Sequence, residues 1–301
     1  MIKKVTVTCH VNGSIVFDLR SPELSGFFIR GIDGLGPSKA NINMSEALSL
    51  DGSRFNSART TLRNIVFNLG FLEMPTIEDT RQLSYKHFPV KHEVDIIVET
   101  DNKTVKTTGY VESNEPDIFN KQEVSLVSVL CPDPYFYSLS KTIVNFSNVV
   151  SAFSFPFSNE SLTEKLIIFG NILIDPQQNV YYSGEAHVGI KMYIHFLGPV
   201  TNLTVYNLST RESMILDSDI LVALTGFGFD AGDEVIISTI KGEKYVTLIR
   251  NGESINILNV LGPESNWFTL ETGDNVFYYT ADSGASNAQF RIEHDILYEG
   301  I

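Results

Sequence analysis

Apolar and polar residues alternate with a period of two along most of the chain, the pattern of strands that bury one face. Val5, Val7 and Cys9 share one such face near the start. Residues 15–19 continue the alternation after Asn12-Gly13-Ser14, a composition that predicts the turn of a hairpin. Further strands are predicted at residues 65–69, 94–99, 105–111 and 124–130. The strands on either side of the turn at residues 100–104 are expected to form a second hairpin.

One segment departs from this period and predicts a helix. Thr76 is a suitable N-cap because Asp79 follows three residues later. Glu78 and Asp79 also place negative charge at the positive end of the helix dipole. Pro89 cannot continue a helix, so the predicted helix starts after Thr76, runs through Tyr85 and ends before this proline.

A proline-rich segment divides the chain. Pro132 and Pro134 lie one residue apart, and their fixed φ angles and missing N–H groups exclude helix and central-strand geometry. We interpret the two prolines as a hinge and predict domains at residues 1–139 and 140–301. Beyond the boundary, short strands recur between turn signals, which is typical of a β-sandwich. They are predicted at residues 166–174, 188–196, 201–207, 234–239, 244–249, 275–280 and 289–295.

The charge of the chain is strongly negative and unevenly distributed. Its 301 residues include 22 Lys and Arg and 36 Asp and Glu, a net charge of −14. Negative charge repels phosphate, which disfavours binding to nucleic acids and to anionic membranes. Residues 1–138 carry 14 basic and 17 acidic side chains and residues 139–301 carry 8 and 19, net charges of −3 and −11. The near-neutral part is better suited to contacts between identical copies, since like charges oppose assembly.

The start of the chain and its cysteines favour a protein made in a reducing cytoplasm. Lys3-Lys4 is followed by alternation rather than by an apolar stretch, so we predict no signal peptide. No run reaches the ~18 apolar residues of a membrane-spanning helix. One disulfide between Cys9 and Cys131 is an alternative, but two free buried thiols suit this compartment better.

No catalytic constellation is recognisable. The nucleophile elbow G-x-S-x-G is absent, and Gly34 and Gly36 are not followed by the Gly-Lys-Ser/Thr of a phosphate loop, so a tight turn is the better interpretation. His87 and His92 are five residues apart, which is not the spacing of a helical metal pair, and no Cys-x-x-Cys occurs. We therefore predict a binding or architectural protein with no metal and no cofactor, and not an enzyme.

Two acidic clusters and one tryptophan are the remaining candidates for ligand contacts. Asp217 and Asp219 begin like a calcium loop, but the apolar residues that follow break the pattern. Asp230 and Asp233 favour a turn with solvated acids, and a weak calcium site is the alternative. Trp267, the single tryptophan, is more often a core residue in a β-sandwich than a platform for a sugar ring. No feature favours the paired carboxylates of a glycoside hydrolase.

A series of short motifs runs through most of the chain. In the first half they are Phe27-Phe28-Ile29, Gly34-Leu35-Gly36-Pro37, Asp51-Gly52, Arg63-Asn64-Ile65, Ile77-Glu78-Asp79-Thr80-Arg81, Tyr85, Phe88-Pro89, Gly109-Tyr110-Val111-Glu112, Glu115-Pro116-Asp117-Ile118-Phe119 and Cys131-Pro132-Asp133-Pro134-Tyr135-Phe136. In the second half they are Gly232-Asp233, Ser265-x-Trp267-Phe268 and Tyr298-Glu299-Gly300-Ile301. In this order the motifs resemble the siphovirus-type tail component family, the distal tail proteins of long-tailed phages that infect Gram-positive bacteria.

The resemblance implies a mainly β fold, with an N-terminal β-sandwich that has one α-helix and an extended hairpin, followed by a galectin-like β-sandwich. It implies a ring of six copies, single or stacked, that joins the tail tube protein to the tail-associated protein of the tip. In some relatives the peripheral second domain carries receptor-binding proteins. DNA passes the channel without specific binding, and neither catalysis nor a membrane is implied. The protein is then expected in the virion, after assembly in the host cytoplasm.

A closed ring needs head-to-tail interfaces, which often pair strand edges. We assign the ring contact or the lumen lining to the hairpin at residues 94–111. Its predicted contact residues are Val94, Ile96, Val98, Val105, Thr107, Gly109 and Val111. The alternative function is carbohydrate binding by residues 140–301 during host adsorption, with Trp267 as the candidate sugar contact.

Overall fold

The computed structural model describes residues 1–46, 51–119, 122–151 and 170–301. Contacts divide the chain into two compact units: Met1–Ser140 together with Leu297–Ile301, and Lys141–Ile296. Both consist mainly of β-strands, as the alternation predicts. No helix in the described part of the chain has the length and apolar character needed to cross a membrane. The first residues of one predicted strand, 166–169, lie outside the described residues.

The first unit contains a nine-stranded sheet, a separate two-stranded hairpin and helix α1 (Ile77–His87). The strands of the sheet are β1 (Ile2–Cys9), β2 (Gly13–Asp18), β3 (Phe27–Asp33), β6 (Arg63–Phe71), β7 (Glu93–Thr100), β8 (Thr104–Asp117), β9 (Val124–Cys131), β10 (Phe136–Ser138) and β25 (Leu297–Tyr298). The separate hairpin consists of β4 (Ala40–Glu46) and β5 (Ser53–Thr60). The sheet has the order β2-β1-β7-β8-β9-β6-β3, with β10 beside β8 and β25 beside β10.

Local sequence signals set the elements of this unit. β1 and β2 form the predicted hairpin, in which Val5 pairs with Phe17. The hairpin predicted at residues 94–111 is formed by β7 and β8, and the predicted helix is present as α1. The Thr76 side chain accepts a hydrogen bond from the Asp79 amide at 3.2 Å, as an N-cap should.

Aromatic side chains show that the sheet is rolled around its own core. β2 and β3 stand at opposite ends of the strand order, yet the rings of Phe17 on β2 and Phe27 on β3 are only 5.7 Å apart. Phe88, which follows α1, packs against Phe17 at 6.1 Å and against Phe67 at 5.7 Å. The inward residues of the alternating strands therefore face one another across the interior of a single rolled sheet, whose end strands β2 and β3 are not hydrogen-bonded to each other.

The side chain of Arg63, at the start of β6, is buried and connects three distant segments. Its nitrogens donate to the backbone carbonyls of Gly34 at 2.5 Å, Gly36 at 2.6 Å, Pro134 at 2.8 Å and Glu299 at 2.6 Å. The guanidinium also lies 4.2 Å from the centroid of the Phe136 ring, a cation–π contact. Burial lowers the pKa of Arg63, but an arginine stays protonated in proteins. Its charge is stabilised by carbonyl dipoles and an aromatic face.

The geometry around Arg63 argues against the hinge predicted at Pro132 and Pro134. Both prolines precede Ser140, the last residue of the first unit before the chain enters the second. The carbonyl of Pro134 accepts hydrogen bonds from Arg63 and from the Ser38 hydroxyl, so this segment is fixed inside the first unit. The prolines stiffen a turn that presents a carbonyl to a buried cation.

We predict that Arg63→Met destabilises the first unit by about 3 kcal/mol or more, because it leaves buried carbonyls without a donor. Urea unfolding followed by tyrosine fluorescence measures the loss. Arg20→Met, at an exposed position, is the matched control and should change the free energy of unfolding by less than about 0.5 kcal/mol. Equal effects of the two substitutions would contradict the assignment.

The second unit contains two larger sheets and two short strand pairs. The strands of the six-stranded sheet are β11 (Thr142–Asn145), β16 (Lys191–Phe196), β19 (Glu234–Ser238), β20 (Tyr245–Arg250), β21 (Glu253–Asn256) and β24 (Ala288–His294). Those of the four-stranded sheet are β14 (Gln177–Tyr182), β17 (Leu203–Asn207), β18 (Glu212–Leu216) and β23 (Gly273–Thr280). The six-stranded sheet has the order β11-β24-β16-β19-β20-β21, and the four-stranded sheet has the order β14-β23-β17-β18. The short pairs are β12 (Ser147–Ser151) with β13 (Gly170–Ile174) and β15 (Val188–Gly189) with β22 (Thr269–Leu270).

The two larger sheets face each other across an apolar core. Tyr279 on β23 stacks on Phe290 on β24 with ring centroids 4.0 Å apart. The Tyr279 hydroxyl donates to the Ala288 carbonyl at 3.0 Å, and burial raises the pKa of this tyrosine. The unit is therefore a sandwich of two antiparallel sheets.

A second helix, α2 (Ser218–Thr225), was not predicted. Asp217, which resembled the first residue of a calcium loop, is its N-cap: the carboxylate accepts from the amides of Asp219 at 2.9 Å and Ile220 at 3.1 Å. Gly226 ends the helix in the left-handed conformation, as C-terminal glycines do.

His294, at the end of β24, is buried against the Tyr182 ring, with ring centroids 5.5 Å apart. Its Nδ1 donates to the Asp295 carbonyl at 3.1 Å, and its Nε2 has no hydrogen-bond partner among the described residues. Burial lowers the pKa of this imidazole below 6.5, because the charged form loses its hydration.

A histidine with a lowered folded-state pKa contributes stability that is present above its unfolded pKa and is lost as the pH falls below it. We therefore expect the second unit to lose stability as the pH falls from about 6.5 toward the folded-state pKa. Thermal melts of the full chain at pH 7.5 and pH 5.5 measure the difference, and His294→Gln should reduce it. An unchanged pH difference in the variant contradicts this role, whatever its absolute melting temperature.

Candidate assembly surfaces

The seven residues predicted to make ring contacts line the interior of the first unit. Val94, Ile96, Val98 and Val105 have no exposed surface, and Thr107, Gly109 and Val111 are also buried. In addition, β7 pairs with β1 and β8 pairs with β9, so neither strand of this hairpin has an open edge along the paired residues. In an intact first unit these side chains are therefore not available for contact with another copy. Their alternation with polar residues is that of the core.

A different hairpin projects from the first unit. All 15 residues of β4 and β5 are exposed, and within the described parts of the chain these strands pair only with each other. A two-stranded hairpin on its own is at best marginally stable in water. Both of its outer edges carry unpaired backbone groups, a feature that proteins usually cover.

This hairpin has one apolar and one polar face. Met44 pairs with Phe55 and Ile42 pairs with Ala58, so these four side chains share a face. Ile42, Met44 and Phe55 are 52%, 54% and 60% exposed. The opposite face carries Asn41 paired with Arg59, Asn43 with Ser57 and Ser45 with Arg54. An apolar face of this kind, exposed to water, indicates a surface that packs against a partner.

The sequence of this hairpin carries a weak signal for its two strands and their turn. Ile42 and Met44 alternate with asparagine and serine, and Asp51-Gly52 is a turn dipeptide. The two strands, Ala40–Glu46 and Ser53–Thr60, contain little of the valine and threonine that mark the neighbouring strands. Their alternation of apolar and polar residues is therefore less evident in the sequence.

A pocket of about 410 Å³ lies beside β2, which pairs with β1 on one side and stands at the end of the sheet. Its walls come from β2, from the 3₁₀ turn Pro22–Leu24 and from α1. Leu24 is 77% exposed at its rim. His87 lines the pocket, is only 8% exposed, and its Nδ1 has no hydrogen-bond partner among the described residues.

The second unit has a groove of about 630 Å³ beside α2. Phe227, at its edge, is 71% exposed, and Asp219, Asp230 and Asn251 provide polar groups. Of the two acids predicted to be solvated near this groove, Asp230 is exposed as predicted and Asp233 is not. Asp233 is buried, and its carboxylate accepts from Arg250 Nε at 2.7 Å in a bidentate ion pair. This pair raises the pKa of Arg250 and leaves Asp233 committed to a cation of the protein.

Trp267 is neither a core residue nor an open platform. Its side chain is half-buried, and the Lys244 ammonium lies 5.3 Å from the ring centroid. The neighbouring Phe268 is the residue that enters the core, where it packs edge-on against Phe277 at 5.8 Å.

Groups with catalytic or metal-binding chemistry are dispersed. Among the described residues, no three His, Cys, Asp or Glu side chains are placed to hold a metal ion. Cys9 and Cys131 are buried and free, as predicted. Burial raises the pKa of the Cys131 thiol, which makes it a poor nucleophile at neutral pH.

Known proteins with a similar sequence or fold include tail components of phages. Residues 183–294 match the model of a family described as siphovirus-type tail component, C-terminal domain. The crystal structure of the SPP1 Dit (gp 19.1) protein, described as a paradigm of the hub adsorption apparatus in phages that infect Gram-positive bacteria, is 13% identical. It has a TM-score of 0.66 over 97% of this chain and 98% of that chain. No curated protein matches the sequence significantly.

Two structures of the phage P2 baseplate in its activated conformation, with Ca and with Sr, also align. They are 13% and 12% identical over 97% and 96% of this chain and 98% and 97% of theirs. Their TM-scores, 0.45 and 0.43, are too low to add to the fold argument.

The family match and the likeness in fold agree with the motifs found in the sequence. The likeness to SPP1 Dit extends over both units, at an identity that shows the fold alone. The resemblance is thereby confirmed: this chain has the fold of the SPP1 Dit protein, and its residues 183–294 match the model of the C-terminal domain of siphovirus-type tail components.

Proposed function

We propose that this protein is a structural hub of a phage tail tip or baseplate, which assembles with copies of itself into a six-fold ring. The observation that carries the proposal is the β4–β5 hairpin, whose apolar face and two free edges are exposed. Burial of such a face is the main gain available on association. The likeness in fold to a protein described as a hub adsorption apparatus supports the same role.

The distribution of charge supports a ring built by the first unit. Residues 1–138 carry a net charge of −3, so identical copies repel each other weakly, whereas residues 139–301 carry −11. We assign the ring to the first unit and the solvent-facing periphery to the second. In this arrangement the ring joins the tail tube protein to the tail-associated protein of the tip, and DNA passes through without specific binding. The protein then resides in the virion after assembly in the host cytoplasm.

Phe55→Asp should convert the assembly into monomers, because it places a charge in the centre of the apolar face of the hairpin. Light scattering after gel filtration measures the mass, with about 200 kDa expected for six copies of the 33.6 kDa chain. Leu208→Asp is the matched control, since Leu208 is 48% exposed and lies in the second unit.

Two results would count against this role. One is a wild-type chain that stays monomeric at high concentration. The other is a Phe55→Asp variant that still forms the ring while its circular dichroism is unchanged. If Leu208→Asp dissociates as completely as Phe55→Asp, the effect is not specific to the hairpin.

A second candidate function is carbohydrate binding by the second unit. The observation that favours it is the groove beside α2, where exposed Phe227 stands next to Asp230, Asn251 and Thr201. A sugar face stacks on an aromatic ring while polar groups bind its hydroxyls, and the volume lies within the usual range of ligand pockets.

Screening the full chain against an array of bacterial cell-wall oligosaccharides tests this candidate. Binding should be lost in Phe227→Ala and kept in Trp267→Ala, because Lys244 lies over the tryptophan ring. If the chain binds none of the glycans, this candidate function is rejected. If binding is lost only in Trp267→Ala, the sugar site lies at Trp267 and not in the groove beside α2.

A further inference from the structure

We propose that the pocket beside β2 receives the β4–β5 hairpin of a second copy of this chain. The inference rests on the proposed self-assembly and specifies its receiving surface. The hairpin is one partner of this contact, and the pocket at the end of the nine-stranded sheet is the other.

The pocket offers a strand edge next to an apolar wall. β2 ends the sheet, so its outer edge is available to a further strand, the mode of binding called β-augmentation. Ile15 and Val16 on β2, Leu24 on the 3₁₀ turn and Leu83 on α1 line the space beside that edge. Leu24 is mostly exposed in the free chain, as expected of a residue that becomes buried by a partner.

His87 adds one buried polar atom, Nδ1, to the wall of this pocket. Its Nδ1 has no hydrogen-bond partner among the described residues, although more than nine-tenths of the residue is buried. A buried polar atom without a partner is costly, and an N–H group brought by an incoming strand would satisfy it. A strand edge presents such groups at regular intervals.

The hairpin has the matching properties. Its free edges supply backbone donors and acceptors, and its apolar face carries Ile42, Met44 and Phe55. Charges of both signs occur on each side of the contact. The pocket contains Lys4 and Asp18, and the hairpin carries Glu46, Arg54 and Arg59, so the two surfaces offer side chains of opposite sign to each other.

The contact is head-to-tail, because it joins different elements of two identical chains. Interfaces of this type close into rings when the rotation between copies allows it. Each described chain contributes one such hairpin and one such pocket, so every copy in a closed ring has both surfaces covered.

Mixed crosslinking tests the contact directly. One tagged chain carries Leu24→Cys, and a second chain with a different tag carries Ile42→Cys, Met44→Cys or Phe55→Cys. After assembly and oxidation, at least one mixture should give a disulfide-linked pair that contains both tags, since a disulfide requires Cα atoms about 4.4–6.8 Å apart. Each variant alone should give none. Cys9 and Cys131 are buried, so the unmodified chain is the background control.

A second set of mixtures tests the alternative that the hairpin binds the groove beside α2 in the second unit. Phe227→Cys, at the edge of that groove, is mixed with the same three hairpin variants. Rings that form with crosslinks at Phe227 and none at Leu24 overturn the inference but leave the proposed hub intact. Rings without a crosslink in any mixture overturn it as well. A chain that never assembles refutes the proposed function and this contact together.

The substitution Leu24→Asp tests the same contact without crosslinking. It should raise the concentration at which half of the chains are assembled by about tenfold or more, with folding unchanged because Leu24 is exposed. The Leu208→Asp control should leave that concentration unchanged. Equal behaviour of the two variants overturns the inference.

Discussion

The first unit depends on one buried cation that has no carboxylate among its hydrogen-bond acceptors. The guanidinium of Arg63 binds carbonyls from the glycine-rich turn, from the proline segment and from the last residues of the chain. A planar fork of donors can satisfy several carbonyls at once, which a lysine cannot do. The cost of burying the charge is offset only while all three segments are in place, so this residue links the order of the turn to that of residues 297–301.

The same constraint explains the glycine at position 34. Its φ is +85°, and a Cβ there would come within 1.9 Å of the Asn64 carbonyl oxygen. Only a glycine allows the turn to approach β6 closely enough for its carbonyl to reach Arg63. Three of the motifs that suggested the family, around Gly34, Pro134 and Glu299, thus meet at one side chain. Arg63 and Glu299 are 236 residues apart in the sequence, and no local pattern indicates that these motifs lie together in the fold.

The apolar core of the first unit is closely packed, whereas the apolar face of its β4–β5 hairpin is exposed to water. Core aromatic residues pack at normal distances and buried thiols remain free. Beside this core, an amphipathic hairpin and the pocket around His87 leave apolar surface exposed and a polar atom unpaired. Together, these two uncovered surfaces support the proposed self-assembly more strongly than either feature does separately.

The sequence by itself determined the secondary-structure elements that depend on residues close together in the chain. The hairpin of β1 and β2, the cap of α1 at Thr76 and strands of the second unit such as β16, β19 and β24 follow from period, turn residues and capping, whereas β14, β18 and β21 were not predicted. The side of a strand that faces solvent is not local information. Val94 and its alternating partners carry the same pattern whether they face a core or another subunit, and only the rolled sheet placed them inside. Asp233 was indistinguishable from a solvated acid until the fold brought Arg250 to it, because ion pairs and open surfaces arise between residues that are distant in the chain.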